Sequence, residues 1–361
     1  MLLVALGLLA ACSDKDPERE EEFNQTGQGV FILCEGNYQS GNASLTYYAP
    51  ETRTAENGVF HRANDRRLGD TGQSLTLTDS TLFIAVENSG IVWGIHPETF
   101  RVRGQLTAGD TEHMINPRYV HLVSPTKAYV TDLYAPYITV FNPQTFTYLR
   151  SIPTLQPRTN GYSNTEEMVQ WDKYVFVTCW SYSRSILVID TEQDAVVDSI
   201  VLTSWQPKRI VLDQKGKLWA VTDGGYHTSS ASWGDNVPHL YRIDAATRRI
   251  EGDWALDTDE ASVDLALDPS GQWIYILNND IYRMGLEDSR PPVRPFIEAP
   301  VDSKGKRHKL YGIGCSPRTG EIYVADAVDY RQSGAVYRYT PTGTLADQFR
   351  TGIIPTHFAF K

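Results

Sequence analysis

The sequence is short of basic charge, of sulfur and of long apolar runs. Against 44 Asp and Glu it carries only 33 Lys and Arg, a formal net charge of −11. That deficit argues against a nucleic-acid binder, which needs a basic stripe to displace counterions, and against polybasic attachment to anionic lipid. Four cysteines in 361 residues are too few for a disulfide scaffold, and Cys34, Cys179 and Cys315 follow no CxxC spacing. No apolar run approaches the ~20 residues of a membrane-spanning helix. Catalytic signatures are missing too: there is no GxSxG elbow, HExxH, P-loop or GxGxxG after a strand. The eight histidines are scattered, without the close pair that suggests zinc. Paired carboxylates of the glycosidase kind stay open, because their separation is a three-dimensional quantity.

What the chain has is aromatic residues: 20 Tyr, 8 Trp and 12 Phe, within a 41% hydrophobic composition. That bias favours β structure and is ample for a core. The length suits two modest domains or one large repetitive architecture.

Residues 1–11 read as a signal peptide. Leu2 to Ala11 form one short apolar run, matching the hydrophobic part of a secretory signal. It ends Leu9-Ala10-Ala11-Cys12, which resembles the bacterial lipobox, with Cys12 as the lipidated residue. No Lys or Arg precedes the run, so the signal is atypical. Residues 12–28 read as an acidic tether, because Ser13 to Glu22 hold six acids and two bases and nothing suited to a core. An acidic stretch directly after such a cysteine resembles the export signal of Bacteroidota surface lipoproteins. The expected location is the outer membrane, lipid-anchored on the cell surface.

Residues 29–361 repeat. The apolar pairs Phe31-Ile32, Phe83-Ile84, Tyr129-Val130, Phe176-Val177, Trp219-Ala220, Tyr275-Ile276 and Tyr323-Val324 are separated by 52, 46, 47, 43, 56 and 48 residues. A period of that size marks a propeller blade of four short strands. Each pair heads a second strand. Type I turn chemistry precedes it in Asp213–Gly216, Asp268–Gly271 and Ser316–Gly320. A second recurring turn joins the third and fourth strands: Ala49–Thr52, His96–Thr99, Asn142–Thr145, Asp244–Thr247 and Thr340–Gly343. Val30 to Glu35 has no first strand before it, and Pro355 to Phe360 looks like a first strand with no second after it. Joining them closes a ring and removes the open sheet edges. The expectation is an all-β, seven-bladed β-propeller closed by the C-terminal strand; the alternative is a pair of β-sandwiches.

Function in such a ring sits on the loops at one face. Here these loops are rich in aromatics and amides, which suit a large, partly apolar ligand. The candidate ligand-binding residues are Tyr38, Tyr134, Tyr137, Arg158, Asn160, Tyr162, Trp180, Tyr182, Trp205, Tyr226, Trp233 and Tyr330. About half of such rings are expected simply to pack blades together. The 224–238 loop, long and polar, is the best single candidate. Acids end several second strands, at Glu35, Glu87, Asp132, Asp223 and Asp326. A carboxylate ring can hold a cation, but such residues more often cap the adjacent turn, so no metal site is expected. Cys34 and Cys315 lie in β runs as small hydrophobes, and Cys179 stands at a loop edge beside Trp180.

Several segments together resemble a known family: RYVHLVSPTKAYVTDLYAPYITVFN from Arg118, MVQWDKYVFVTCWSYSRSILVID from Met168, GKLWAVTDGGY from Gly216, LNNDIYRM from Leu277, GEIYVADAVDY from Gly320 and GIIPTHFAFK from Gly352. They look like Bacteroidota surface lipoproteins of the YncE-like propeller type. They are most similar to the surface cobalamin (vitamin B12)-binding lipoproteins that partner a TonB-dependent outer-membrane transporter. The resemblance covers nearly the whole chain after the tether. It implies a protein that captures cobalamin or a related corrinoid and hands it on, with no catalytic residue, no cofactor and no nucleic-acid partner. A corrin ring is an apolar disc edged with amides, which aromatic rims bearing Asn, Gln, Asp and Arg complement. Its cobalt need not be coordinated by the protein; His61, His113 or His227 could do so, but a surface histidine is more often simply solvated. The competing expectations are a propeller for another ligand (haem, siderophore or glycan), a protein-docking subunit, and a propeller lyase or lactonase.

Overall fold

The computed structural model describes residues 25, 27–155, 164–227, 232–234, 237–256 and 262–361. Cys12, the signal, and all of the tether but its last few residues therefore lie outside the described residues, as do Arg158, Asn160 and Tyr162.

Seven antiparallel blades form a β-propeller. In chain order, blade 1 holds Gly72–Leu77, Leu82–Val86, Ile91–Ile95 and Val102–Thr107. Blade 2 holds Pro117–Ser124, Lys127–Asp132, Tyr137–Asn142 and Thr147–Pro153. Blade 3 holds Thr165–Trp171, Tyr174–Cys179, Ser185–Asp190 and Ala195–Val201. Blade 4 holds Pro207–Leu212, Lys217–Thr222, His239–Asp244 and Ile250–Ala255. Blade 5 has three strands, Val263–Leu267, Trp273–Asn278 and Asp280–Gly285. Blade 6 holds Leu310–Cys315, Ile322–Asp326, Ser333–Tyr339 and Leu345–Ile353. Blade 7 is composite: Pro355–Phe360 pairs with Val30–Cys34, followed by Ser44–Ala49 and Thr54–Glu56. The first strands pack on one another in sequence, and Pro355–Phe360 packs on both Leu310–Cys315 and Gly72–Leu77, so the ring is closed.

The aromatic period has a packing cause. The ring residues Phe31, Phe83, Tyr129, Phe176, Trp219, Tyr275 and Tyr323 are all 0–2% exposed. Successive side chains of a strand point to opposite faces, so each second strand feeds two seams. Phe31 and Leu33 pack towards blade 1, and Val30 and Ile32 towards blade 6. Seven apolar clusters result, one per seam. Burying each large ring contributes about 1.5–3 kcal/mol relative to leaving it in water.

The turn between third and fourth strands recurs six times among the described residues. Its closing residue is left-handed at Arg53, Phe100, Phe146, Asp194, Arg248 and Gly343. Residues 190–194, a member that sequence pattern alone passed over, belong to this set. At Phe146 the left-handed backbone turns the ring back onto blade 1. There Gly94 and Gly104 face each other in register, and a Cβ on either would meet that ring at 2.1 or 2.2 Å.

Two features depart from expectation. The segment read as a long loop from 224 to 238 contains a two-stranded ribbon, Gly225–His227 paired with Ser232–Gly234, with Tyr226 opposite Trp233. Alternating small and aromatic residues around a Ser-rich tip favour a hairpin over irregular coil. Blade 5 lacks the fourth strand that the repeat implied. Residues 286–309 run there instead, and Phe296-Ile297 bonds the backbone of Ile281, blunting the exposed edge. A side cleft of about 490 Å³, lined by Trp254, Tyr282 and Pro291–Val293, opens on this side of the blade.

Candidate functional site at the channel mouth

First strands begin, and second strands end, on one face. A β-bulge marks the start of six of the seven first strands. The extra residues are Gln73, Arg118 with Tyr119, Glu166 with Glu167, Lys208, Tyr311 and Thr356. A bulge re-aims side chains locally; here it turns polar groups into the central channel.

The upper tier is a charge lattice. Arg118 donates to both carboxylate oxygens of Glu166, each at 2.7 Å, and also pairs with Glu87. Gln73 Nε2 donates to Glu166 at 3.3 Å. These four side chains belong to blades 1, 2 and 3 and are buried. Burial opposes the Arg118 charge, but Glu166 and Glu87 outweigh it and hold the guanidinium protonated. Burial pushes Glu87 up, against the pull of Arg118. The Arg118 guanidinium also lies 5.4 Å from the Trp180 ring, whose Nε1 donates to Asp223 at 2.8 Å. Across the mouth, the Tyr311 hydroxyl donates to Glu35 at 3.3 Å. Glu35 is pushed up to about 7 by burial, only partly offset by Lys208 and Arg118. Lys208, from blade 4, brings its ammonium within 5.4 Å of the Tyr311 ring of blade 6. It therefore crosses the mouth of the channel.

One residue further along the strands lies a second tier of polar side chains. The Tyr119 hydroxyl and His357 Nε2 are 2.8 Å apart. Arg209 reaches Glu167 at 2.8 Å and Asp264 at 2.5 Å, and Arg209 also approaches the Tyr119 hydroxyl at 3.5 Å. Glu167 is pushed up to about 7 by burial against the pull of Arg209. Burial and three neighbouring cations hold His357 far below the ordinary histidine range, so it is neutral.

The predicted rim residues fall into three groups. Tyr38 and Tyr134 are each 65% exposed and Tyr182 is 37% exposed. Trp180, Trp205, Tyr330 and Tyr137 are half-buried and engaged. Arg184 lies 5.6 Å from the Trp205 ring, Tyr330 packs edge-on against Tyr311, and Tyr137 stacks on His113 at 3.9 Å. The Tyr226 and Trp233 side chains lie outside the described residues. A cleft of about 480 Å³ between residues 40–45 and Phe60, His61, Arg67 and Leu68 extends the rim beside blade 7.

The strand-ending acids act mainly through hydrogen bonds. Asp132 accepts from the backbone of Ile115, Asn116, Tyr134 and Ala135. Asp326 pairs with His308 at 2.5 Å and accepts from Val328 N. Among the described residues no group of three or more His, Cys, Asp or Glu is arranged to hold a metal ion. Cys179 is fully buried at the end of its strand, and burial pushes its thiol up to about 12.

Sequence reading passed over the inner tier of Gln73, Arg118, Glu166, Glu167, Lys208, Arg209, Asp264 and Tyr311. A signal was present: Pro117-Arg118-Tyr119, Thr165-Glu166-Glu167, Pro207-Lys208-Arg209 and Pro355-Thr356-His357 each place polar residues at the head of an apolar first strand.

Solved structures with this architecture come from several sources. The quinonprotein alcohol dehydrogenase-like protein of Bacteroides thetaiotaomicron is 13% identical, with a TM-score of 0.67 over 91% of this chain and 77% of that one. A 6-phosphogluconolactonase-like protein of Bacteroides fragilis is 13% identical, with a TM-score of 0.63 over 96% of this chain and 100% of that one. The periplasmic gluconolactonase PpgL of Pseudomonas aeruginosa is 13% identical, with a TM-score of 0.64 over 92% and 99%. At this identity the likeness is one of fold alone, and it fits a YncE-like propeller. No curated protein matches the chain. Residues 28–348 match the family described as a domain of unknown function, DUF5074, and the chain belongs to that family.

Proposed function

We propose that the loop face captures a large, partly apolar, amide-edged nutrient, cobalamin or a related corrinoid, and passes it to a TonB-dependent outer-membrane transporter. In this reading the lipidated Cys12 holds the propeller at the cell surface. The observation that carries it is the pairing of exposed rings with a polar well on one face. Tyr38, Tyr134 and Tyr182 stand open to solvent, and inside them lie Trp180, Lys208, Tyr311 and Glu35. Aromatic rings cover the apolar disc of a corrin, and the polar groups meet its amides. No bond in the ligand need break. The test is calorimetric titration of cyanocobalamin into the soluble form beginning at Phe23. Tight one-to-one binding supports capture; no heat at high concentration removes the vitamin.

A second reading, hydrolysis of a lactone, draws on the carboxyls of Glu35 and Glu167, both pushed up to about 7, a range suited to acid–base work. Two of the similar structures carry lactonase names. Binding is preferred because Glu167 is already committed to Arg209 and to Ile210 N. Turnover of gluconolactone or its 6-phosphate that is lost in Glu35→Gln would reverse that preference.

A further inference from the structure

Two opposite charges at the channel mouth are held apart. Among the described residues Lys208 has no hydrogen bond or ion pair, and its ammonium lies 5.4 Å from the Tyr311 ring. The two arginines of the channel are saturated: Arg118 by Glu166 and Glu87, Arg209 by Glu167 and Asp264. Glu35 accepts side-chain hydrogen bonds from Tyr311 at 3.3 Å and from Thr356, which leaves part of its acceptor capacity unused. Tyr311 is thus wedged between them, its face towards the ammonium and its hydroxyl on the carboxyl. A half-buried ammonium without a partner is costly, and a fold that pairs its channel arginines so thoroughly leaves Lys208, among the described residues, open at the mouth beside the incompletely used carboxyl of Glu35.

We infer that Lys208 and Glu35 form a two-point socket for a neutral primary carboxamide, the ammonium donating to its carbonyl oxygen and the carboxyl accepting from its NH2. This rests on the corrinoid reading and names the part of the ligand that enters the channel: a peripheral amide side chain rather than the phosphodiester of the nucleotide loop. The electrostatics favour the amide. The mouth already holds Glu35, Glu87, Glu166 and Asp223 against Arg118 and Lys208, so an entering anion would meet a net negative well, whereas a group with one donor end and one acceptor end matches both walls.

The experiment uses the full chain in mild detergent and compares wild type with Lys208→Met, Glu35→Met and the isosteric Glu35→Gln, each checked for an unchanged melting temperature. Cyanocobalamin and dicyanocobinamide, which lacks the nucleotide loop and its phosphate, are the two corrinoid probes. Lys208→Met and Glu35→Met should weaken both probes about tenfold or more, because each leaves one end of a buried amide unpaired. Glu35→Gln, which keeps an acceptor, should weaken them by about threefold at most. A loss in Lys208→Met confined to cyanocobalamin would overturn the inference in favour of phosphate recognition, and no loss in either Met variant would overturn it outright. If wild type binds neither corrinoid, the corrinoid reading itself fails. The socket is then judged with propionamide: a saturable shift of the Lys208 ammonium resonance that disappears in Glu35→Met keeps it, and no shift removes it.

Discussion

Arg118 and Glu166 are joined by two hydrogen bonds of 2.7 Å between side chains 48 residues apart in sequence, one blade's length. They occupy equivalent bulges on neighbouring first strands, so the pair ties blade 2 to blade 3 at the channel wall. Both side chains are buried. Replacing Glu166 with Gln should leave a buried guanidinium short of one partner and cost about 3–5 kcal/mol. Replacing both residues with apolar ones of similar volume should cost less than the two single changes summed, because the pair's desolvation penalty goes with it, although Glu87 then loses its guanidinium. Urea unfolding of the two single variants and the double variant measures the coupling. Additive losses would mean the two residues act independently.

Glu35 and Glu167 should withdraw stability as pH rises from about 4.5 to 7, against the opposite contribution of the buried neutral His357. Glu35 and Glu167 are both pushed up to about 7 in the folded chain, so between their unfolded and folded values the native state binds more protons than the unfolded one. Their contribution is fully present below the unfolded value and is lost as pH passes through the folded one. Glu35→Gln should flatten part of that slope. Denaturation midpoints across this range provide the check, and an unaltered slope in the variant would show that Glu35 ionises normally.

Thiol labelling offers a third check. Cys34 and Cys179 are completely buried, and burial pushes the three described thiols up, Cys34 to about 11 and Cys179 and Cys315 to about 12. The thiolate is the reactive form. At pH 8 all three should resist a disulfide reagent in the native state and react together on unfolding. Prompt native labelling of Cys179 would contradict its place in the seam between blades 2 and 3.

Removing Pro355–Phe360 should abolish cooperative folding rather than trim it. That strand supplies the inner edge of blade 7 and packs on blades 1 and 6. Its loss would uncover the backbone of Val30–Cys34 as an unpaired, wholly apolar edge, a template for aggregation. Size-exclusion chromatography of a chain ending at Ile354 should show aggregate; a soluble monomer with the parent's melting temperature would refute this.

The repeat was legible because one large aromatic per blade must be buried in every second strand, so the seven seams leave their spacing in the sequence. Phe31 and Tyr323 mark the same structural position although nearly the whole chain separates them. The exposed rim at Tyr38, Tyr134 and Tyr182 was legible as aromatic residues among turn formers. The inner tier was not. A charged residue heading a strand, such as Arg118 or Lys208, reads in one dimension as solvent-facing, and what buries it is a bulge plus partners from other blades. Tyr137 shows the converse: it has rim composition but spends its ring face on His113. The missing fourth strand of blade 5 was hidden because the 286–309 segment keeps the repeat length while replacing a strand with turns.

The composite blade also sets an order of events. Its three other strands, Val30 to Glu56, are among the first parts of the propeller to be synthesised, yet the strand that completes their sheet is the last. Until residue 360 is available, blade 7 stays open on its inner side and the ring is an arc with two free ends. The channel mouth shares this dependence, because Glu35 and His357, carried by adjacent strands of this one composite blade, come from distant parts of the chain. A channel mouth drawn from both Val30–Glu56 and Pro355–Phe360 cannot form until both segments are present, so under the capture reading binding reports that the ring has closed.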